Sequence, residues 1–433
     1  MSENTSLNLQ RDKGNSLGLG GIVKKILFDN MVTILFVVLC IFGIYFSGQS
    51  LAFITGELIT RIARNAFLVL SLIIPVLAGM GLNFGIVIGA MAGQIAIIAV
   101  THWKITGIAG FLLCILISTP LAILFGYFTG RLLNKTKGQE MIASMILGFF
   151  ANGLYQLLFL FFIGTIIPMK NPTLVLSGGI GIKNTIDLSG GIKYAVDGLY
   201  RMPLSLALLI ISLILIVINI YKYLETKKIK RKDNEKYLFS VGASILLLIL
   251  SIALMVFRTS FMFIKVPFVT ILVIVAICIF NVFIVKTKLG QDFRTVGQDM
   301  HVANVSGINV DKIRVTAIII STVLAAWGQL IFLQNIGTLN TYGSHEQVGM
   351  FAIAALLIGG ASVTKATNSQ AIIGIILFHT LFIVSPLAGK NLLGSAQIGE
   401  YFRVFVAYGV IGVSLGLHAF KQQIEAKNKF KSQ

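Results

Sequence analysis

Charge is scarce in this sequence. Only 12% of the 433 residues are Asp, Glu, Lys or Arg, against 56% hydrophobic, and the mean hydropathy is +0.90. That balance excludes an ordinary water-soluble domain and describes a polytopic membrane protein. Acidic residues are scarcer still: 16 Asp plus Glu face 35 Lys plus Arg, a formal net charge of +19. In a soluble chain this excess points to nucleic acid. In a membrane chain it reflects basic residues collecting in loops that stay in the cytoplasm, so the expected partner is the lipid bilayer and no nucleic acid. The three cysteines, Cys40, Cys114 and Cys278, lie inside apolar runs without CxxC spacing and read as small core residues, neither disulfides nor metal ligands.

Two further absences bear on the energy source. No G-x-x-x-x-G-K-[ST] loop occurs, since the Gly389-Lys390 pair is followed by Asn391. No polar stretch exceeds roughly 40 residues, which leaves no room for a nucleotide-hydrolysing domain. No catalytic residue, metal site or cofactor is expected in this chain, so energy comes from an ion gradient or from another chain. Carboxylates are also missing from the middle of the apolar runs: Glu140 opens a helix, and Glu57, Glu346 and Glu400 read as outside or at the rim. Ion-coupled carriers need an embedded carboxylate, which counts against the alternative of an ion-coupled secondary transporter. A membrane scaffold without a transport role is a weaker reading.

What the chain does have is apolar runs. They fall at Val32 to Phe46, Asn65 to Met80, Asn83 to Val100, Ile105 to Gly130, Met141 to Ile167, Pro203 to Tyr221, Tyr237 to Phe257, Val266 to Val285, Ile313 to Gln334, Gly349 to Gly360, Ala371 to Ser385 and Phe402 to Ala419. They predict an all-α, polytopic transmembrane helix bundle of about 10–12 spans. Gly349 to Gly360 is too short to cross and reads as a broken or half-membrane helix.

Alternating the runs from a cytoplasmic N-terminus puts five basic segments on one side and makes both termini cytoplasmic. The resulting division is a cytoplasmic segment 1–30 with no cleavage site, a transmembrane domain 31–420 and a basic cytoplasmic tail 421–433. Within the domain lie an external loop 168–201, a basic cytoplasmic loop 222–236 and a cytoplasmic segment 286–312. The external loop carries the near-repeat Ser177-Gly178-Gly179-Ile180 and Ser189-Gly190-Gly191-Ile192 and reads as a turn-rich cap.

The segment Lys286 to Lys312, KTKLGQDFRTVGQDMHVANVSGINVDK, is water-facing and patterned. Phe293, Val296, Met300 and Ala303 recur at helical spacing, which predicts one apolar stripe about three turns long. Asp292 is placed to cap its start, Gly307 to end it, and Asn309 or Asp311 to cap the next helix. The stripe either packs on its own bundle or is offered to a soluble partner.

The run Gly290, Phe293-Arg294-Thr295-Val296-Gly297-Gln298, Ala303, Gly307-Ile308 resembles the cytoplasmic signature of bacterial ABC-importer permeases of the ribose, galactose, nucleoside and branched-chain amino acid type. Thr295 replaces an Ala of that pattern, Asp299 an Asn, and Val302 the first of two Ala. Phe351 to Ser362, FAIAALLIGGAS, is similar to a second family stretch, with Thr364 to Gln370 in place of the usual Gly-rich turn. Gly138 through Asn152 is similar to the nucleoside branch. The resemblance implies a protein of the bacterial cytoplasmic (inner) membrane moving a small neutral solute by alternating access. It implies as partners a separate ATPase subunit, a second permease copy or paralogous permease, and an extracytoplasmic solute-binding protein. It also implies that Gly290, Asp292, Phe293, Arg294, Val296, Gly297, Asp299, Met300, Ala303, Gly307 and Ile308 form the coupling helix. Gly297 falls on the same helical side as Phe293 and Met300, where the missing side chain is expected to let the partner approach the backbone.

Polar side chains inside spans face the bundle interior, where they line a pathway or bond helix to helix. Candidates for a pathway are Asn83, Gln94, Asn152, Gln156, Gln329, Asn335 and His379, with Asn281 and Gln334 of the same character. Amides both donate and accept hydrogen bonds, which suits a neutral hydroxylated or heterocyclic solute. Phe149, Phe150, Tyr155 and Trp327 are aromatic neighbours able to stack on it.

Overall fold

The computed structural model describes residues 30–228, 234–257 and 259–431. The N-terminal segment up to residue 29, and Lys230, Arg231 and Lys232 of the basic loop, lie outside the described residues. The predicted all-α bundle is what forms: among the described residues eight stretches are helical, long and apolar enough to cross a membrane, and three shorter apolar helices accompany them. In chain order the helices are α1 (Met31–Ser47), α2 (Leu51–Ser71), α3 (Ile73–Leu77), α4 (Ile86–His102), α5 (Gly107–Lys135), α6 (Glu140–Leu157), α7 (Leu204–Lys228) and α8 (Asn234–Val256). They continue with α9 (Phe268–Lys286), α10 (Lys288–Gln298), α11 (Met300–Val305), α12 (Val310–Ile336), α13 (Ser344–Ile358), α14 (Asn368–Leu393) and α15 (Ala396–Lys431).

Helix α12 is central because its neighbours carry glycines where it crosses them. A Cβ on Gly89 or Gly93 of α4 would lie 2.4 Å from Thr322 O or 2.7 Å from Ala326 O, and one on Gly126 of α5 would lie 2.9 Å from Ile319 Cα. In hydrocarbon, close backbone approach is the main source of helix association, since lipid tails compete for any larger apolar side chain. Helices α2, α4 and α5 accordingly wrap α12, which buries residues around its whole circumference.

Two helices, α2 and α13, depart from the apolar runs at their starts. Helix α2 starts at Leu51, capped by the Ser50 hydroxyl, and not at Asn65, so Glu57, Arg61 and Arg64 lie inside a candidate span. The run mislocated this start because the charged residues interrupt it. Helix α13 begins at Ser344 and stops at the Gly359-Gly360 turn, short as the half-membrane reading expected. Helices α7 and α8 pair with each other through Asn219 Nδ2, which donates to Ser244 Oγ at 3.0 Å.

The loop after α6 folds over the ends of α4 and α12. Strand β1 (Thr185–Asp187) pairs antiparallel with β4 (Thr338–Asn340), and β2 (Arg201–Pro203) with β3 (Lys265–Pro267). Leu174, Ile186, Leu188 and Ile192 are buried beneath it, and Gly107 N donates to Gly191 O at 2.9 Å. At the opposite end of α12 gather Lys135, Lys137, Lys286 and Lys312, with Lys137 Nζ 2.7 Å from Asp311 Oδ1.

Candidate functional site

The patterned segment at the basic end is two helices, not one. Asp299 is extended (φ −156°), which breaks the axis, and its carboxylate accepts from His301 N (2.7 Å) and Val302 N (3.1 Å) to cap α11. These backbone donors, Val302 first, hold its carboxyl below the usual Asp range. The start is also different from the expectation: Thr287 caps α10, and Asp292 lies inside it. Gly307 in the left-handed region and Asn309 as the cap of α12 are as expected.

The apolar stripe is consumed within the chain. Phe293, Val296 and Ala303 are buried against the bundle, and only Met300 of the four is exposed. Gly297 faces its own chain as well: a Cβ there would lie 2.2 Å from Leu77 O, at the end of α3. The bare position admits the α3 turn, which corrects the reading that it admits a partner. Gly290 is likewise bare because the end of α9 crosses it, with Ile284 O 2.1 Å from a built Cβ. What remains open is α11, where Val302 and Val305 are 52% and 77% exposed, beside a cavity of about 690 Å³ lined by Met300, His301, Asn304, Ile308 and Asp311. Arg294 is exposed and donates to Val285 O at 3.2 Å.

Beneath α11 sits a residue that sequence reading did not single out. Arg314 is fully buried on the first turns of α12; its Nη2 lies 2.6 Å from Glu140 Oε1 and its Nη1 donates to Met300 Sδ at 2.9 Å. It was legible only as one more basic residue at a span end. Its importance comes from α6 starting directly opposite.

Further along the same two helices a polar cluster forms between α4, α6, α12 and α13. Only one orientation of the Gln94 amide satisfies both of its ends. In it, Gln94 Nε2 faces His345 Nδ1 and Tyr155 Oη (3.0 Å each), and its oxygen accepts from Gln329 Nε2 (3.2 Å) and His345 N (3.2 Å). His345 Nδ1 is then an acceptor, so Nε2 carries the proton and donates to Asn152 Oδ1 at 2.9 Å. Asn152 Nδ2 in turn donates to Glu346 Oε1. The result is a one-way relay, Gln329 to Gln94 to His345 to Asn152 to Glu346. Its outer end is an exposed carboxylate, and its inner end is Gln329 Oε1, a buried acceptor without a partner among the described residues.

A profile of the family described as branched-chain amino acid transport system / permease component matches residues 54–414, from α2 into α15. The chain belongs to this family. As a permease it is a multi-pass protein of the bacterial inner membrane. It is 29% identical over 137 residues to the xylose transport system permease protein XylH of Haemophilus influenzae, covering 31% of this chain and 35% of that one. It is 27% identical over 169 residues to the probable ABC transporter permease protein YphD of Escherichia coli, covering 39% and 48%. It is 38% identical over 93 residues to the autoinducer 2 import system permease protein LsrC of Yersinia enterocolitica, covering 21% and 25%. The matched region thus spans a quarter to about half of these curated relatives. No solved structure matches the chain.

Of the candidate pathway residues, the permease brings together Gln94, Asn152 and Gln329, with Tyr155, and adds His345 and Glu346. Glu346 is therefore no bystander at the rim. The others serve elsewhere. Asn83 folds the turn before α4, its Oδ1 accepting from Gly85 N at 3.0 Å. Asn281 bonds helix to helix, donating to Leu70 O (3.2 Å) and Asn368 Oδ1 (3.2 Å). Trp327 Nε1 donates to Thr119 Oγ1 on α5 at 3.0 Å, and Phe149 and Phe150 point outward. Gln156 has no hydrogen-bond partner among the described residues. Asn335 Nδ2 donates to Asp197 Oδ2 at 2.5 Å, and Thr270 donates to the other oxygen. Asp197 is a buried carboxylate of the loop after α6, invisible in sequence because that loop reads as polar and external. His379 lies apart, buried on α14 against the rings of Phe378 and Phe382.

Proposed function

We propose that this permease is the membrane-spanning subunit of an ATP-binding cassette importer for a small neutral, hydroxylated solute of sugar or nucleoside type. A separate ATPase subunit docks on α11, a second permease subunit completes the pathway, and an extracytoplasmic binding protein delivers the solute. The observation that carries the reading is the relay ending on the free acceptor Gln329 Oε1. A solute hydroxyl donates there, and Glu346 and Asn152 offer further acceptor sites, while the Glu346 carboxylate repels an anion. The printed names of the relatives, a xylose permease and autoinducer 2 permeases, support a sugar-like cargo.

The mechanical path follows from shared helices. Met300 of α11 touches Arg314, which clamps α12 to Glu140 at the first turn of α6. Asn152 lies about 18 Å further along α6, and Gln329 about 22 Å further along α12, at 1.5 Å rise per residue. Movement of the docked ATPase against α11 then shears α6 against α12, and the relay between their far parts is remade or broken. The test is uptake of candidate sugars into proteoliposomes containing the whole transporter. Val302→Asp with Val305→Asp should abolish ATPase co-purification and uptake while the permease remains folded. Uptake that proceeds without ATPase and collapses when the ion gradient is discharged establishes the secondary transporter instead.

A further inference from the structure

Helices α5 and α12 touch backbone to backbone near their basic ends. A Cβ on Gly126 or Gly130 of α5 would lie 2.9 Å from Ile319 Cα or Val315 Cα of α12, so larger side chains have room only beside the crossing. On one flank Tyr127 and Phe128 of α5 and Ile319 of α12 line a cavity of about 780 Å³ between the two helices. Arg131, Lys135 and Lys312 line the same cavity, and all three side chains are exposed to it. Asn134 Nδ2 donates to Asp311 O at 2.9 Å and ties the two helix ends together there.

The lining changes from charge to hydrocarbon along both helices. Lys135 and Lys312 lie at the ends of the candidate spans Gly107–Lys135 and Val310–Ile336. Phe128 and Ile319 lie two helical turns further into those spans, on the same faces and about 10 Å deeper at 1.5 Å rise per residue. Among the described residues, Arg131, Lys135 and Lys312 have neither an ion pair nor a side-chain hydrogen bond. The carboxylate in the lining, Asp311, is matched by Lys137, whose Nζ is 2.7 Å away. The Arg131 guanidinium carbon sits 5.0 Å from the centre of the Tyr127 ring, which holds the group at the cavity while its N–H edge stays open. Three uncompensated cations therefore surround one accessible space with an apolar floor.

We propose that this groove binds an anionic phospholipid, with its phosphate on Arg131, Lys135 and Lys312 and the start of its acyl chains against Tyr127, Phe128 and Ile319. A basic pocket between membrane helices is the complement of such a headgroup, and Arg grips phosphate oxygens in fork geometry while Lys acts as a point charge. The apolar floor selects the lipid over dissolved phosphate, which would satisfy the cations and leave Phe128, 61% exposed, uncovered. The bound lipid bridges α5 and α12. The site stands apart from the relay and does not depend on the nature of the cargo.

Thermal unfolding of the full-length permease in nanodiscs tests this. Replacing part of the phosphatidylcholine by phosphatidylglycerol should raise the midpoint saturably. The half-saturating lipid fraction should increase about fivefold in Arg131→Gln or Lys312→Gln, and the rise should be lost when both are replaced. Lys286→Gln with Lys288→Gln removes the same charge from exposed positions at the same end but outside the cavity, and should keep the wild-type response. Inorganic phosphate titrated against chloride at constant ionic strength in phosphatidylcholine nanodiscs should not move the midpoint. Should the Arg131 and Lys312 double variant fail to fold, native mass spectrometry decides, with phosphatidylglycerol retained on wild type and depleted on each single variant. The proposal is overturned by indifference to phosphatidylglycerol, by an equal loss in the Lys286 and Lys288 variant, by an equal shift with inorganic phosphate, or by equal lipid retention in wild type and single variants.

Discussion

Arg314 Nη2 lies 2.6 Å from Glu140 Oε1, a buried pair joining the start of α12 to the start of α6 directly beneath Met300. Removing one partner strands the other charge, so Glu140→Leu or Arg314→Leu should each destabilise the permease by about 3 to 5 kcal/mol. The double replacement should be more stable than either single one, because no uncompensated charge remains. Denaturant midpoints of the three variants check this; a double variant no better than the singles would show the pair to be incidental.

Gly297 should respond more strongly than Gly307 to the same change. At Gly297→Ala the new carbon meets Leu77 O at 2.2 Å, backbone that cannot step aside, so overpacking should cost about 1 to 3 kcal/mol or more and lower the folded yield. Gly307 has no atom within 4 Å of its Cβ position, and its φ of +79° makes Ala cost only about 1 to 2 kcal/mol. Monodisperse protein recovered after size exclusion separates the two; equal recovery would contradict the α10 and α3 contact.

The Asp299 cap makes a pH-dependent contribution of known sign. Its folded carboxyl is held below the usual value, so its stabilisation is fully present above the unfolded range near pH 3.9 and is lost as pH falls through the lowered value. Hydrogen exchange at His301 and Val302, corrected for intrinsic rates, should therefore stay protected throughout the neutral and mildly acidic range. Asp299→Asn should keep this protection without the acid-side loss, and Asp299→Ala should lose it at every pH.

Replacing His345 by Leu orphans the Gln94 and Asn152 groups it joins, at about 1 to 3 kcal/mol for each buried group. His345→Leu, Asn152→Leu and Gln329→Leu should each reduce uptake more than they reduce folded protein, and Gln156→Leu should change neither. Parallel losses of uptake and folded protein at all three positions would mean that the cluster only holds helices together.

Several features of this permease were readable before any fold. Apolar runs separated by basic loops specify a helical membrane bundle, because the bilayer admits few backbone solutions and hydropathy reports directly on them. The family was legible at Gly290 through Ile308, since local backbone demands, a cap at Asn309 and a left-handed Gly307, are written in adjacent residues. Three of the relay's members were legible as amides in spans. Their partner His345 was not, because the first turn of α13 carries no span-like pattern.

Sequence determined which residues are polar and where helices begin to be possible; the tertiary structure alone decided what each faces. Periodicity assigns a face to a helix but cannot say whose surface covers it. So Phe293, Val296 and Gly297, patterned as if for a partner, close onto α3 and the bundle. The same limit hid Asp197 and Arg314, each set by which helix lies opposite. That arrangement depends on glycines of α4 and α5 letting α12 approach within backbone contact, a pairing between segments far apart in the chain that no local pattern records.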